Sequence, residues 1–76
     1  MDITLPKWGM SMQEGVITEW HVQVGDTVTE GQPVATVETE KVDAEVESPG
    51  DGTVTELLVT AGDTVEVGAV IARLSP

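Results

Sequence analysis

The chain has 76 residues, of which 14 are Asp or Glu and only three are Lys or Arg, for a formal net charge of −11. That length allows one compact domain, which hides only about 60% of its unfolded surface, and the charge argues against nucleic acid or anionic membrane as a partner, since only Lys7, Lys41 and Arg73 supply positive charge. With no Cys and one His there is no disulfide framework, thiolate metal site, cysteine nucleophile or histidine-rich metal centre, so any redox or acyl chemistry must be brought in.

In chain order, Ile3 to Leu5 reads as a short strand and Lys7 to Met12 as a loop, with Trp8 packing beside it and Met10 and Met12 filling gaps or lining a partner surface. From Val16 to Val22 the apolar positions change parity between Ile17 and Trp20, which predicts a strand with a bulge at Thr18/Glu19. Trp20 belongs to the core. His21 lies on the solvent side, and no motif sets a Ser or Cys beside it, so it reads as an exposed side chain rather than a base. Gly25-Asp26 marks a turn, Val28 returns to the core and Gly31 punctuates the next connection.

The stretch that follows is the most informative. Val37, Glu38, Thr39 and Glu40 precede Lys41, and Val42, Asp43, Ala44, Glu45 and Val46 follow it. Folded back about Glu40 and Lys41, residue 37 faces 44, 35 faces 46 and 39 faces 42. That register collects Val37, Ala44, Ala35, Val46, Thr39 and Val42 on one face and Glu38, Asp43, Thr36 and Glu45 on the other; a slip of one residue would mix them. The sequence therefore predicts a hairpin with a lone exposed amine at its tip, a place for attachment. Glu38 and Asp43 face each other across it at a cost of roughly 0.2–1 kcal/mol, which recognition of the acidic shell by a partner would offset.

Ser48-Pro49-Gly50-Asp51-Gly52 reads as a turn, holding one acid where a calcium loop needs several oxygen ligands. Beyond it the first half recurs. At an offset of 37 residues, Gly15, Thr18, Glu19, Val22, Gly25, Asp26, Thr27, Val28, Gly31 and Ala35 meet identical residues at Gly52, Thr55, Glu56, Val59, Gly62, Asp63, Thr64, Val65, Gly68 and Ala72. A supersecondary unit used twice can bury its apolar face against its own copy. The expectation is an all-β, pseudo-twofold domain over 1–76, with half-repeats near 1–38 and 39–76, a second bulge at Thr55/Glu56, and Ile3–Leu5 paired with Val70–Leu74 at the end opposite Lys41. Ser75-Pro76 reads as the start of a flexible linker. No stretch approaches a membrane span and the N-terminus lacks a signal peptide's basic start, so the chain reads as soluble and intracellular.

The order Gly9-Met10-Ser11-Met12-Gln13-Glu14-Gly15, then Trp20, Gly25-Asp26, Gly31, Val34 and Glu38-Thr39-Glu40-Lys41, resembles the lipoyl domains of 2-oxo acid dehydrogenase complexes over essentially the whole chain. The resemblance implies a flattened β-barrel of two four-stranded antiparallel sheets. It also implies lipoic acid in amide linkage to Lys41, with Glu38, Glu40, Val42 and Asp43 recognised by a lipoate ligase or octanoyltransferase and by partner enzymes. Those partners would be a thiamine-diphosphate decarboxylase that reductively acylates the arm, an acyltransferase core that loads coenzyme A, and dihydrolipoamide dehydrogenase, which reoxidises it. The domain itself would be a monomeric, non-catalytic carrier, cytoplasmic or, in a eukaryote, in the mitochondrial matrix. Glu40 stands where many members have Asp, and the Gly-Met-Ser-Met-Gln-Glu-Gly segment is closer to pyruvate, acetoin or branched-chain acyltransferases than to those for 2-oxoglutarate. Biotin carriers resemble this fold too, but their lysine has Met on each side, whereas Lys41 lies between Glu40 and Val42. A glycine cleavage H protein would be longer, and an unmodified docking module would tolerate Lys41→Gln.

Overall fold

Val, Ile and Thr fill the segments between Gly-Asp and Gly-X turns, a composition that fits a pleated, half-buried surface. In the computed structural model, which describes residues 1–7, 12–40 and 42–76, those segments form strands β1 (Asp2–Thr4), β2 (Glu14–Trp20), β3 (Thr27–Val28), β4 (Pro33–Glu38), β5 (Asp43–Glu47), β6 (Gly52–Leu57), β7 (Thr64–Glu66) and β8 (Val70–Ser75). Trp8, Met10 and Lys41, with the expectations attached to them, lie outside the described residues. Two antiparallel four-stranded sheets run in the orders β1-β8-β6-β3 and β5-β4-β2-β7. Their inner faces enclose one core built on Ile3, Leu5, Ile17, Val28, Val34, Val37, Val46, Val54 and Ile71, all at most 1% exposed.

The internal repeat becomes a pseudo-twofold relation in which β2, β3 and β4 correspond to β6, β7 and β8. The ladder between β2 and β4 breaks between Ile17 and Glu19, and that between β6 and β8 breaks between Val54 and Glu56. Both parity changes in the sequence are thus bulges, and each is closed alike: Thr18 Oγ1 donates to the Thr36 carbonyl and Thr55 Oγ1 to the Arg73 carbonyl, both at 3.2 Å. The Gly-Asp turns also match. Asp26 Oδ2 accepts from the Gln23 N–H at 2.9 Å and Asp63 Oδ2 from the Thr60 N–H at 2.8 Å. Gly25 and Gly62 both have φ +98°, a left-handed conformation that costs a residue with Cβ about 1–2 kcal/mol. Each turn clasps the other copy: the Gly25 N–H donates to the Val54 carbonyl at 2.8 Å and the Gly62 N–H to that of Ile17 at 2.6 Å.

The outer pair joins the chain's ends. β1 pairs with β8 as expected, Ile3 opposite Ala72, with β1 one residue earlier and β8 one residue longer than the sequence-based bounds. Met1 extends the pairing, its ammonium donating to the Leu74 carbonyl at 2.9 Å while its own carbonyl accepts from the Leu74 N–H at 2.7 Å. In the repeat, this β1–β8 pair takes the place that the β4–β5 pair takes in the other sheet. Two expectations need correction. Trp20 is only half-buried, because its ring packs at the edge of the core with Nε1 donating to the Val59 carbonyl at 3.1 Å. Val42, expected on the apolar face, is 55% exposed, because it lies past the last β4–β5 ladder pair, Glu38 with Asp43, where the sheet has run out.

Candidate functional site: the turn between β4 and β5

Strands β4 and β5 pair Ala35 with Val46, Thr36 with Glu45, Val37 with Ala44 and Glu38 with Asp43. This is the register that the alternation of apolar and acidic residues demands. Val37 and Val46 are at most 1% exposed, while Glu38, Asp43 and Glu45 face solvent. Beyond Glu38 and Asp43, the Thr39 N–H donates to the Val42 carbonyl at 2.9 Å. The Thr39 hydroxyl donates to the same carbonyl at 2.7 Å and accepts from the Val42 N–H at 3.2 Å. Only Glu40, which is exposed, and Lys41 lie between these two residues in the chain. Of the residues singled out from the sequence, Glu38, Glu40, Val42 and Asp43 are therefore brought together at one end of the sheet, and Lys41 lies outside the described residues. The Thr39 hydroxyl was the part the sequence did not give up; its signal is a Thr two residues before the lysine at a predicted reversal.

The surrounding charge is uneven. The sheet that holds this turn carries seven exposed acids in its strands: Glu14 and Glu19 in β2, Glu38 in β4, Asp43, Glu45 and Glu47 in β5, and Glu66 in β7. The strands of the other sheet hold Asp2, Glu56 and Arg73. Beside the turn's sheet, a shallow open cleft of about 460 Å³ is lined by Lys7, Met12, Gln13, Glu14, Glu66 and Val67. Met12 is half-buried and packs on the core, its Cε 3.6 Å from where a Cβ on Gly15 would lie, so gap filling is its role. His21 is not an idle surface residue. Its Nε2 is hydrogen-bonded to Thr36 Oγ1 at 2.7 Å and lies 3.8 Å from Glu45 Oε2, and its Nδ1 lies 3.8 Å from Glu19 Oε1. Apart from the Thr36 hydroxyl, these neighbours are carboxylates, which would pair with the imidazole only in its protonated form.

Comparison with known proteins agrees with this geometry. The family model Biotin_lipoyl, described as "Biotin-requiring enzyme", matches residues 1–74. The chain is 51% identical over 74 residues to the dihydrolipoyllysine-residue acetyltransferase component of the pyruvate dehydrogenase complex of Corynebacterium glutamicum, covering 97% of this chain and 11% of that protein. To the corresponding component of the acetoin cleaving system of Pseudomonas putida it is 40% identical over 70 residues, 92% of this chain and 19% of the relative. The chain thus spans between a tenth and a fifth of the length of these curated relatives. The solution structure of the lipoyl domain of the 2-oxoglutarate dehydrogenase complex from Azotobacter vinelandii superposes with a TM-score of 0.78 at 32% identity, over 100% of this chain and 96% of that one. Sequence and fold thus both have their match, and the chain belongs to the biotinyl/lipoyl-attachment family, on its lipoyl-domain side.

Proposed function

We propose that this chain is a lipoyl carrier, with lipoic acid in amide linkage to Lys41, and that it does no chemistry of its own. The observation that carries the reading is the closure of the β4–β5 hairpin across Thr39 and Val42, which leaves only Glu40 and Lys41 to reverse the chain. When attached, the lipoyl group supplies a disulfide that an acyl donor can open and an oxidant can close. The chain's own residues supply its mounting: Val37 and Val46 fix the strands in the core, Thr39 closes their end, and Glu38, Glu40, Val42 and Asp43 form the patch that loading and partner enzymes contact.

The partners in this reading are a thiamine-diphosphate 2-oxo acid decarboxylase, an acyltransferase core, dihydrolipoamide dehydrogenase, and a lipoate ligase or octanoyltransferase. The relative from Corynebacterium glutamicum, at 51% identity, supports a pyruvate complex ahead of the acetoin system and of the branched-chain complex, whose lipoamide acyltransferase component from Pseudomonas aeruginosa is 40% identical over 73 residues. Intact-mass and peptide mass spectrometry after expression with a lipoate ligase and lipoate tests the assignment. The expected result is one lipoyl adduct on Lys41 and none on Lys7, with Lys41→Arg unmodified. A biotin adduct would make the chain a biotin carrier, and an unmodified chain would make it a docking module.

A further inference from the structure

We propose that the Thr39 hydroxyl is a positioning group for the modified lysine: it fastens the peptide bond that follows Lys41 and holds the turn in the form that the lipoyl-attaching enzyme binds. This rests on Lys41 being the attachment residue. In an antiparallel hydrogen-bonded pair the two residues exchange both of their backbone bonds. Here the Thr39 N–H makes its bond to the Val42 carbonyl at 2.9 Å, but the Val42 N–H is taken at 3.2 Å by Thr39 Oγ1. The same hydroxyl donates to the Val42 carbonyl at 2.7 Å. A hydroxyl has one proton and two lone pairs, and this one spends its proton and one pair on both backbone groups of a single residue. The N–H it holds belongs to the peptide linking Lys41 to Val42.

Among the described residues, the end of the hairpin has few other restraints. The adjacent pair, Glu38 with Asp43, is like-charged, and the Val42 side chain is 55% exposed and so contributes little burial. The repeat offers no copy of the device, since Pro76 stands at the position equivalent to Thr39. Without the hydroxyl the closed turn becomes a fraction of the population, and apparent affinity falls in proportion to that fraction. The loss therefore appears in KM for the domain, with kcat retained.

The experiment compares the chain with its Thr39→Val and Thr39→Ser variants as substrates for a purified lipoate ligase with lipoate and ATP, read by initial rates of adduct formation, alongside amide hydrogen exchange of Val42 by NMR. Thr39→Val is expected to raise KM at least about fivefold, as for loss of one hydrogen bond, with kcat little changed, faster exchange at Val42, and core amides as protected as before. Thr39→Ser is expected to restore KM. A Thr39→Val KM equal to that of the unaltered chain, an effect on kcat alone, or failure of Ser to rescue would overturn the proposal. If the unaltered chain takes no lipoyl group on Lys41, the attachment reading fails first, and the proposal with it; unchanged Val42 exchange in Thr39→Val, with lipoylation of the unaltered chain intact, sinks the proposal alone.

Discussion

Thr36 and Arg73 occupy equivalent places in the two halves, 37 residues apart, and sit in equivalent rows of side chains. In one sheet the row is Asp2, Arg73, Glu56; in the other it is Glu45, Thr36, Glu19. Arg73 serves its row directly, with Nε 3.6 Å from Asp2 Oδ1 and Nη1 3.6 Å from Glu56 Oε1. Thr36 has no charge to offer, and His21 reaches over it to within 3.8 Å of both acids. The two side chains come from different positions, yet each reaches the pair of carboxylates in its own row. Guanidinium is charged at any ordinary pH, whereas imidazole contributes only when protonated. Thr36→Arg should therefore raise the free energy of unfolding, by at most about 1 kcal/mol because all these groups are partly exposed. Urea denaturation at neutral pH measures it, and an unchanged or lower midpoint would mean that the row gains nothing from a permanent cation at position 36.

Among the strands, β4 and β5 were legible almost residue by residue, because an alternation of period two with acids on one side admits a single register. Both bulges were legible for the same reason: a parity change inside an apolar run has no other cheap explanation, and here it occurs twice. The pattern failed at the hairpin's end, where Val42 keeps the inward parity but has no sheet left to cover it. The link from His21 to Glu45 could not be read either, since it joins residues far apart in the chain across a bulged ladder. At this scale the acids are in conflict with folding. Glu38 faces Asp43 and Glu14 faces Glu66, so two rows near the turn pair like charges. Replacing Glu38, Glu40 and Asp43 by their amides should stabilise the domain by roughly 0.2–1 kcal/mol. If the patch guides ligase and decarboxylase, the same variant should be lipoylated or reductively acylated more slowly, and unchanged rates in both assays would remove recognition as the reason for the acids.

Taken whole, the molecule is two halves that cannot be pulled apart as units. β1 and β3 of the first half lie in the sheet with β6 and β8, and β5 and β7 of the second lie in the sheet with β2 and β4. Of the six ladders among the described residues, four (β1–β8, β3–β6, β4–β5 and β2–β7) join one half to the other. Neither half alone retains a sheet of more than two strands, which is marginal in water. Peptides 1–40 and 41–76 should thus each be unstructured by circular dichroism and should regain β signal on mixing; ordered structure in either alone would contradict this interlacing. The ends of the polypeptide obey the same plan. Met1 and Leu74 bond to each other in both directions, so chain continued from both termini would leave as a single stalk. A pull along that stalk would load the hydrogen bonds between β1 and β8 first, and leave the pairing of β4 with β5 in the other sheet unstrained.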